Sequence, residues 1–377
     1  MVFASAERFA SASERYIDTE EGLEAFVTES RSPEVFRACA IDTEADSMHS
    51  YETKLCLIQF ATPGHLVIID PLAIGLAKLK LFTSFVDRFD VVWMHGGDYD
   101  ISLFLKTFDW APRLIFDTQI AARFLGVAKF GLGNLLGDEY GVAVSKQSQK
   151  ADWSRRPISD KMLAYAYDDV RYLLDLGARY VEELKRLGRY DWFLESCEAA
   201  RQSVMDRTEK PEEDAWKISG WGKLSRKGLH FLRTLWYWRD EECRRLDRPA
   251  FKFLNNNELF KMATQLESGG EVRPPHYLRS GAVSRLRKVI EKAKKVPPGD
   301  YPEKRRKGAG MRLNIDETHF AEIRAHRNRV AEDLGIEATL IATRGVLERL
   351  AATNVTSEEE GALMEWQKEL LAPCLRT

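Results

Sequence analysis

The sequence predicts an α/β domain, a mixed sheet flanked by helices, followed by two all-α helical domains. In the first 200 of the 377 residues, strand-length apolar runs alternate with helix-like stretches, as in α/β domains. After residue 215, apolar residues recur at spacings of three and four with no strand pattern, which indicates helices. The chain length itself suggests two or three domains.

The predicted strands come first. Apolar runs cover residues 35–43, 55–60 and 66–69, and the last of these ends at a turn signal, Asp70-Pro71. A helical segment follows, and then a fourth run at 91–94. Hairpin-like strands followed by βα alternation predict a mixed sheet.

The elements predicted for the rest of the chain are helical. Residues 159–187 are predicted as one or two helices, and polar residues around a proline at 208–214 indicate a domain boundary. The predicted domains are an α/β domain at 1–207, a helical domain at 215–296, a basic linker at 297–311 and a second helical domain at 312–377.

The composition excludes several classes of protein. Hydrophobic residues make up 44% and charged residues 30%, as in soluble globular proteins. No apolar run approaches the roughly 18–20 residues of a membrane span, and the N-terminus lacks the apolar core of a secretory signal. Five scattered cysteines without CxxC pairs indicate reduced thiols, so we expect a cytoplasmic protein with no structural zinc.

The net charge of −2 hides an asymmetry. Residues 1–200 contain 22 basic and 31 acidic side chains, whereas residues 201–377 contain 34 and 27. An acidic half joined to a basic half is consistent with a metal site beside a polyanion-binding region. The alternative is that the asymmetry has no function, because surface charge varies freely between proteins.

Two acids stand two residues apart at the end of the first apolar run. Because side chains in a strand alternate, Asp42 and Glu44 are predicted to lie on one face. Burying two like charges together is costly unless a cation compensates them. Taken alone, the pair also fits an Asp42 that opens a turn beside an exposed Glu44.

A second acidic cluster follows the fourth predicted strand, in HGGDYD at 95–100. Asp98 is expected to cap the helix that starts there. Asp100, on the first turn, is expected to point back towards the strand end that carries the first two acids.

The third cluster lies on a later helix. Tyr165 and Asp169 are four residues apart and share a face, whereas Asp168 is expected to point elsewhere. In isolation, this pair would be read as a surface hydrogen bond.

Together the clusters supply four carboxylates and a phenol. Hard divalent ions such as Mg²⁺ or Mn²⁺ prefer oxygen ligands of this kind, with water and substrate phosphate completing the shell. Two ions roughly 3.5–4 Å apart clamp the attacking and leaving oxygens of an in-line phosphoryl displacement. The combination therefore predicts a divalent-metal site for phosphoryl chemistry.

The pattern resembles the DEDDy exonucleases of the DnaQ-like, ribonuclease H-type superfamily, and ribonuclease D in particular. The matching segments occur in the family's order and cover nearly all of residues 35–190. They are AIDTEAD (40–46), KLCLIQF (54–60), VIIDPL (67–72), HGGDYDISLF (95–104), FDTQIAARFLG (116–126), KADWSRRPIS (150–159) and YAYDDVRYLL (165–174). The histidine branch of the superfamily has a His where this chain has Ala164, which favours the tyrosine branch.

The resemblance implies roles for five residues. It assigns the ligation of two divalent ions, Mg²⁺ or Mn²⁺, to four carboxylates: Asp42, Glu44, Asp100 and Asp169. Tyr165 takes the place of the phenol that positions the attacking water. Since a phenol has a reference pKa near 10, it orients the water and does not serve as the base at neutral pH.

Four further residues in the matching segments are candidates for substrate binding. Lys150 and Arg156, with Trp153 between them, either hold the phosphate and base of the substrate or brace the loop before the catalytic helix. Gln59 either faces the cleft or packs in the core.

The helical half also resembles a known module. Residues 228–278 resemble the helicase and ribonuclease D C-terminal (HRDC) domain, and residues 320–350 resemble a second, degenerate copy. The basic stretch between them is either a tether for a nucleic-acid backbone or a solvated linker. It includes Lys304, Arg305, Arg306 and Lys307.

The resemblance implies a metal-dependent 3′→5′ exoribonuclease. It would release 5′-mononucleotides from RNA 3′ ends, above all those of tRNA precursors, and act as a monomer with no membrane and no obligate protein partner. One alternative is a 3′→5′ exonuclease of DNA repair. The other is an inactive nucleic-acid-binding protein, against which the presence of all five site residues argues.

Overall fold

The computed structural model describes residues 12–30, 37–143, 148–208, 211–304, 313–354 and 363–375. It contains two compact units. Unit 1 comprises residues 1–45, 55–207 and 311–377, and unit 2 comprises residues 46–54 and 208–310. Within the described ranges, no helix has the length and apolar character needed to cross a membrane.

Unit 1 is built on a six-stranded mixed sheet. Its spatial order is β1 (Ser13–Ile17), β4 (His65–Ile69), β3 (Leu55–Thr62), β2 (Ala38–Ala45), β5 (Val91–Met94) and β6 (Ile115–Asp117). The central pairs β2–β3 and β3–β4 are antiparallel, and the outer pairs are parallel. The mixed sheet predicted from the sequence is confirmed, with two additional strands, β1 and β6, at its edges.

Nine helices of unit 1 precede unit 2 among the residues that the structure describes. They are α1 (Glu20–Glu29), α2 (Pro71–Ile74), α3 (Lys80–Val86), α4 (Asp98–Phe108), α5 (Thr118–Phe124), α6 (Leu132–Tyr140), α7 (Asp160–Arg171), α8 (Leu173–Arg186) and α9 (Tyr190–Met205). The predicted helical stretch at 159–187 is thus two helices, α7 and α8.

These helices cover both faces of the sheet. On one face, α1, α3 and α4 enclose a cluster of edge-to-face phenylalanines around Phe60. On the other face, α7, α8 and α9 pack over Trp93, whose ring is stacked on Phe193. At Gly177 of α8, an added Cβ would lie 2.7 Å from the Trp93 ring, so only glycine allows this helix to approach so closely. Asp42 and Glu44 belong to this second face.

Unit 2 is a small helical bundle. Its helices are α10 (Arg226–Leu246), α11 (Ala250–Phe253), α12 (Asn256–Glu267) and α13 (Ser280–Lys294). Phe231, Leu235 and Trp238, which lie along one side of α10, are buried in its core. The buried Arg239 guanidinium donates to the Leu254 carbonyl at 3.0 Å and to Asn256 Oδ1 at 2.8 Å, which fixes the turn between α11 and α12.

Four C-terminal helices return to unit 1. They are α14 (Glu317–Leu334), α15 (Ala338–Ile341), α16 (Arg344–Leu350) and α17 (Glu365–Leu371). The Trp366 ring stacks on Trp192 with centroids 5.2 Å apart and meets Phe124 edge-on at 5.2 Å. Arg189 donates to the carbonyls of Phe124 and Leu334 at 2.6 Å each. These helices therefore share a core with the sheet, while their likeness to an HRDC domain remains a prediction.

Candidate active site

The first two acids lie on β2 at the centre of the sheet. Asp42 pairs with Gln59 and Glu44 with Leu57 in the antiparallel β2–β3 ladder. Since Asp42 and Glu44 are two residues apart, both face the α7–α8 side of the sheet. Each retains partial exposure, so this end of the strand opens towards solvent.

The Asp100 carboxylate is held in place by Thr43 of β2. It lies on the first turn of α4, 6% exposed, and accepts a hydrogen bond from the Thr43 hydroxyl. The turn before the helix is organised by Asp117, whose two carboxylate oxygens accept from the amides of Gly96 and Gly97 at 3.0 Å each.

The expected capping role of Asp98 is wrong. Gly97 is the N-cap of α4 and makes no side-chain capping bond. Asp98 instead pairs with Arg207 at 2.8 Å, and both side chains are more than half exposed. A salt bridge to a cation 109 residues away cannot be predicted from the local pattern, which for neighbouring acids at a helix start indicates capping.

Tyr165 and Asp169 come from α7. Ser159 caps this helix by accepting from the Met162 amide, and the four-residue spacing places the Tyr165 hydroxyl within hydrogen-bonding distance of the Asp169 carboxylate. As expected, Asp168 points elsewhere and pairs with Arg171 at 3.1 Å.

The electrostatics show that the three elements meet at one site. Burial raises the pKa of Asp42 well above its ordinary value, and the charges of the other three carboxylates raise it further. Burial, followed by Asp169 and Asp100, raises the pKa of Glu44 to about 9. These mutual effects show that the four carboxylates are near enough to interact through their charges.

The pKa values of the two more deeply buried acids, Asp169 and Asp100, are also raised. Burial raises the pKa of Asp169 to about 8 against the hydrogen bond from Tyr165, and that of Asp100 to about 6 against the bond from Thr43. Asp169 Oδ2 is buried and has no hydrogen-bond donor among the described residues. Four carboxylates in this arrangement cannot all ionise without a cation.

The carboxylates do not yet form one coordination sphere. In the part of the chain that the structure describes, no three His, Cys, Asp or Glu side chains are arranged as a metal site. An all-oxygen donor set with an orphaned carboxylate oxygen fits a hard divalent ion.

Arg156, one of the residues predicted to bind substrate, makes several hydrogen bonds within the protein. Arg156 Nη2 donates to Asp70 Oδ1 at 2.7 Å and to the Cys56 carbonyl at 3.0 Å, and Nη1 donates to the Trp153 carbonyl at 2.7 Å. Tyr16 also donates to Asp70. These bonds occupy the Arg156 guanidinium and favour the interpretation that Arg156 braces the loop before the catalytic helix.

The other candidates of this segment differ in exposure. Trp153 is 1% exposed, and its ring centroid lies 6.0 Å from that of Tyr165, so the two rings pack against each other. Lys150 lies exposed at the end of a short 3₁₀ helix, Ser148–Lys150. Substrate contact remains a prediction for Lys150.

The basic tether falls largely outside the described residues. Arg305, Arg306 and Lys307 belong to the undescribed stretch, whereas Lys304 donates from Nζ to the Leu224 carbonyl at 3.0 Å within unit 2. Its binding role therefore remains a prediction.

Two residues that the sequence analysis missed help to build the site. Thr43, between the two β2 acids, anchors Asp100, and Asp117, the last residue of β6, orders the turn that begins α4. Asp117 also accepts from the Gln119 amide at 2.7 Å as the N-cap of α5. The motif FDT, an acid after an apolar run and before a helix, is the signal that could have identified Asp117.

Comparison with known proteins supports the same class. A family model described as a 3′-5′ exonuclease matches residues 15–185. Ribonuclease D of Sphingobium indicum is 30% identical over 339 residues, which cover 88% of this chain and 86% of that protein. Ribonuclease D of Escherichia coli K12 is 28% identical, with 90% and 92% covered.

Solved structures agree in fold. The crystal structure of Escherichia coli RNase D, described as an exoribonuclease involved in structured RNA processing, matches with a TM-score of 0.68 at 25% identity and covers 97% of this chain and all of its own. A protein from Bifidobacterium adolescentis matches with a TM-score of 0.76 at 23% identity, over 96% and 95% of the two chains.

The mixed sheet, its helical covers and the matched region define a 3′–5′ exonuclease, a class that depends on divalent metal ions. The likeness extends far beyond that region into the helical half. The chain belongs to the ribonuclease D family. It is therefore a hydrolase that acts on RNA as a 3′–5′ exoribonuclease, and the DNA-repair alternative is not favoured.

Proposed function

We propose that the protein shortens RNA from the 3′ end with two divalent ions, Mg²⁺ or Mn²⁺, and releases 5′-mononucleotides. The ions would be held by Asp42, Glu44, Asp100 and Asp169. The single observation that carries this proposal is the mutual rise in pKa of these carboxylates, which come from β2, α4 and α7. When bound, the ions would acidify the attacking water and stabilise the departing 3′-oxygen.

Tyr165 is proposed to orient the water. Burial, with the charge of Asp169, raises the pKa of Tyr165 far above its usual range, so its hydroxyl stays protonated and donates. Its ring is held by Trp153, and its hydroxyl lies beside Asp169. Thr43 keeps Asp100 from turning away from β2. These contacts fix the positions of the groups that the reaction needs.

The test is a digestion of end-labelled RNA. RNA with a 5′ label should give a ladder of shortened products, and RNA with a 3′ label should release a labelled mononucleotide at once. EDTA should stop the reaction, and Mg²⁺ or Mn²⁺ should restore it. Internal cleavage, or full activity in EDTA, would contradict the proposal.

A substitution identifies the carboxylates. Asp42→Asn should lower kcat by at least about a hundredfold without loss of folding, because it removes a ligand and no core contact. Asp98→Asn is the matched control: it lies beside Asp100 in sequence, but its side chain is exposed and paired with Arg207. Comparable losses in the two variants would refute the assignment.

We further propose that structured RNA 3′ tails, tRNA precursors among them, are the substrates. The Escherichia coli relative is described as acting in structured RNA processing, and the basic half supplies charge for an RNA body. Residues 215–296 would be one HRDC domain and 312–377 a degenerate second, joined by the basic linker 297–311. We expect a monomer without an obligate partner, in the cytoplasm, where five free thiols stay reduced.

A further inference from the structure

We propose that Gln149 is a positioning residue: its side-chain amide donates a hydrogen bond to the Tyr165 hydroxyl and so directs the hydroxyl proton towards Asp169 and the attacking water. The inference rests on the proposed role of Tyr165 in orienting that water. Gln149 directly precedes the segment 150–159 and belongs to none of the motifs described above.

The first observation is a pair of hydrogen bonds at the Tyr165 hydroxyl, one with the Gln149 side chain and one with the Asp169 carboxylate. Burial raises the pKa of Tyr165, and the bond with Gln149 acts in the opposite direction, which is the effect of a donor to the hydroxyl oxygen. Burial likewise raises the pKa of Asp169, and the bond with Tyr165 opposes it, so Tyr165 is the donor to the carboxylate. The two bonds therefore run in one direction, from amide to hydroxyl to carboxylate.

The chemistry of a phenol gives this direction its consequence. A phenol hydroxyl has a single proton to donate and accepts through its oxygen. Because the Gln149 amide has only protons to offer at its nitrogen, it occupies the accepting side of the Tyr165 oxygen and leaves the proton for the opposite side. Without the amide, this partly exposed hydroxyl is free to donate to solvent instead.

The second observation is the short helix that carries Gln149. Gln149 is the middle residue of the 3₁₀ helix Ser148–Lys150, which packs against α7, the helix of Tyr165. Ser148 is 3% exposed, and its carbonyl accepts from the Ala151 amide at 3.0 Å. The Gln149 side chain is exposed, so its neighbours fix its backbone while its amide stays at the surface of the site.

The third observation is the support on the other side of the loop. The Trp153 ring packs against that of Tyr165, and the Trp153 carbonyl accepts from Arg156 Nη1 at 2.7 Å. Arg156 in turn donates to Asp70 at 2.7 Å. The position of the Tyr165 ring is thus determined by Trp153, and the direction of its hydroxyl proton is left for Gln149 to determine.

The experiment is a double-mutant cycle between Gln149→Met and Tyr165→Phe. Methionine keeps the approximate length of glutamine and removes the donor, and phenylalanine removes the hydroxyl alone. Gln202→Met is the matched control, because Gln202 of α9 is also exposed and donates from its side-chain amide to Asp206 at 2.8 Å. The measurements are kcat and KM on RNA at saturating Mn²⁺, and the unfolding midpoint in EDTA.

A second measurement detects the bond without activity. In protein that contains 3-fluorotyrosine, the fluorine NMR resonance of Tyr165 is the one that is absent from Tyr165→Phe. In the metal-free protein this resonance should shift in Gln149→Met and stay unchanged in Gln202→Met.

Gln149→Met should lower kcat about three- to tenfold, as expected for the loss of one hydrogen bond, with KM and the unfolding midpoint unchanged. Tyr165→Phe should lower kcat further. In the Tyr165→Phe protein, adding Gln149→Met should change kcat by less than about twofold, because the amide then has no hydroxyl to direct. Gln202→Met should match the wild type.

Four outcomes would overturn the inference. Independent losses of kcat that multiply in the double variant would show that Gln149 does not act through Tyr165. A raised KM with unchanged kcat would show that the amide contacts RNA. An unshifted fluorine resonance would show that the bond is absent in solution, and failure of Gln149→Met to fold would show that the amide serves the loop. A Tyr165→Phe protein with wild-type kcat would instead refute the proposed role of Tyr165, and the fluorine measurement would still report the bond.

Discussion

Replacing Asp169 with Asn should stabilise the metal-free protein while abolishing its activity. Asp169 is 6% exposed, and burial raises its pKa from 3.8 to about 8. Because the folded-state pKa lies above the unfolded value, the stability present below about pH 4 is lost as the pH rises through about 8. An asparagine does not titrate and can still accept the hydrogen bond from Tyr165.

The size of the effect follows from the same shift. Keeping a carboxyl with an ordinary pKa of 3.8 protonated costs about 5 kcal/mol at pH 7.5 and about 2 kcal/mol at pH 5, and these figures are upper bounds. Asp169→Asn should therefore gain free energy of unfolding in EDTA, and should gain more at pH 7.5 than at pH 5.

The assay is urea unfolding at both pH values, with EDTA and with Mn²⁺. Saturating Mn²⁺ should stabilise the wild type, by about 2.7 kcal/mol at a hundred times Kd, but should stabilise the variant little. Asp168→Asn is the control, since its paired, partly exposed side chain should change stability by at most about 1 kcal/mol. A variant less stable than the wild type in EDTA at pH 7.5, or one with full Mn²⁺ stabilisation, would refute the reasoning.

Two further variants test the helical half. Trp366→Ala should lower the free energy of unfolding of unit 1 in urea by about 3–5 kcal/mol, because the ring packs against Trp192 and Phe124. The control is Lys368→Ala, on the same helix but paired with Glu365 at the surface, which should change this free energy by less than about 0.5 kcal/mol. Similar values for the two variants would contradict the shared core. Alanine at all four positions of the basic tether should weaken RNA binding and flatten the dependence of its affinity on salt. An unchanged slope in a filter-binding titration would make the stretch a linker. These four positions are Lys304, Arg305, Arg306 and Lys307.

Local patterns were enough to predict the central strands and the acids. The strands β2 to β5 are apolar runs between turn signals, and their burial follows from that composition. The edge strand β1 was missed because its sequence, SERYI, is mostly polar and its first three residues are exposed. The three-residue β6 is too short to show a period.

Partners distant in sequence could not be predicted. Arg156 meets Asp70 across 86 residues and Asp98 meets Arg207 across 109, and nothing in either local sequence identifies the other. The amphipathic pattern of the C-terminal helices predicted that one face is buried, but the pattern is the same whether that face meets a neighbouring helix or the Trp192 side of the sheet. The sequence pattern therefore predicts that one face of a helix is buried, but it does not predict which element buries that face.

Trp366 belongs to a core whose other aromatic residues are translated much earlier. The ring completes a core begun by Phe124, more than two hundred residues earlier, so on the ribosome this core stays unfinished until Trp366 has emerged. Until then the side chains of Phe124 and Trp192 are not covered by the Trp366 ring. A chain truncated shortly before Trp366 would expose these aromatic side chains and become a target for chaperones and proteases. The core around Phe124 is thus completed by a segment that is translated long after the sheet.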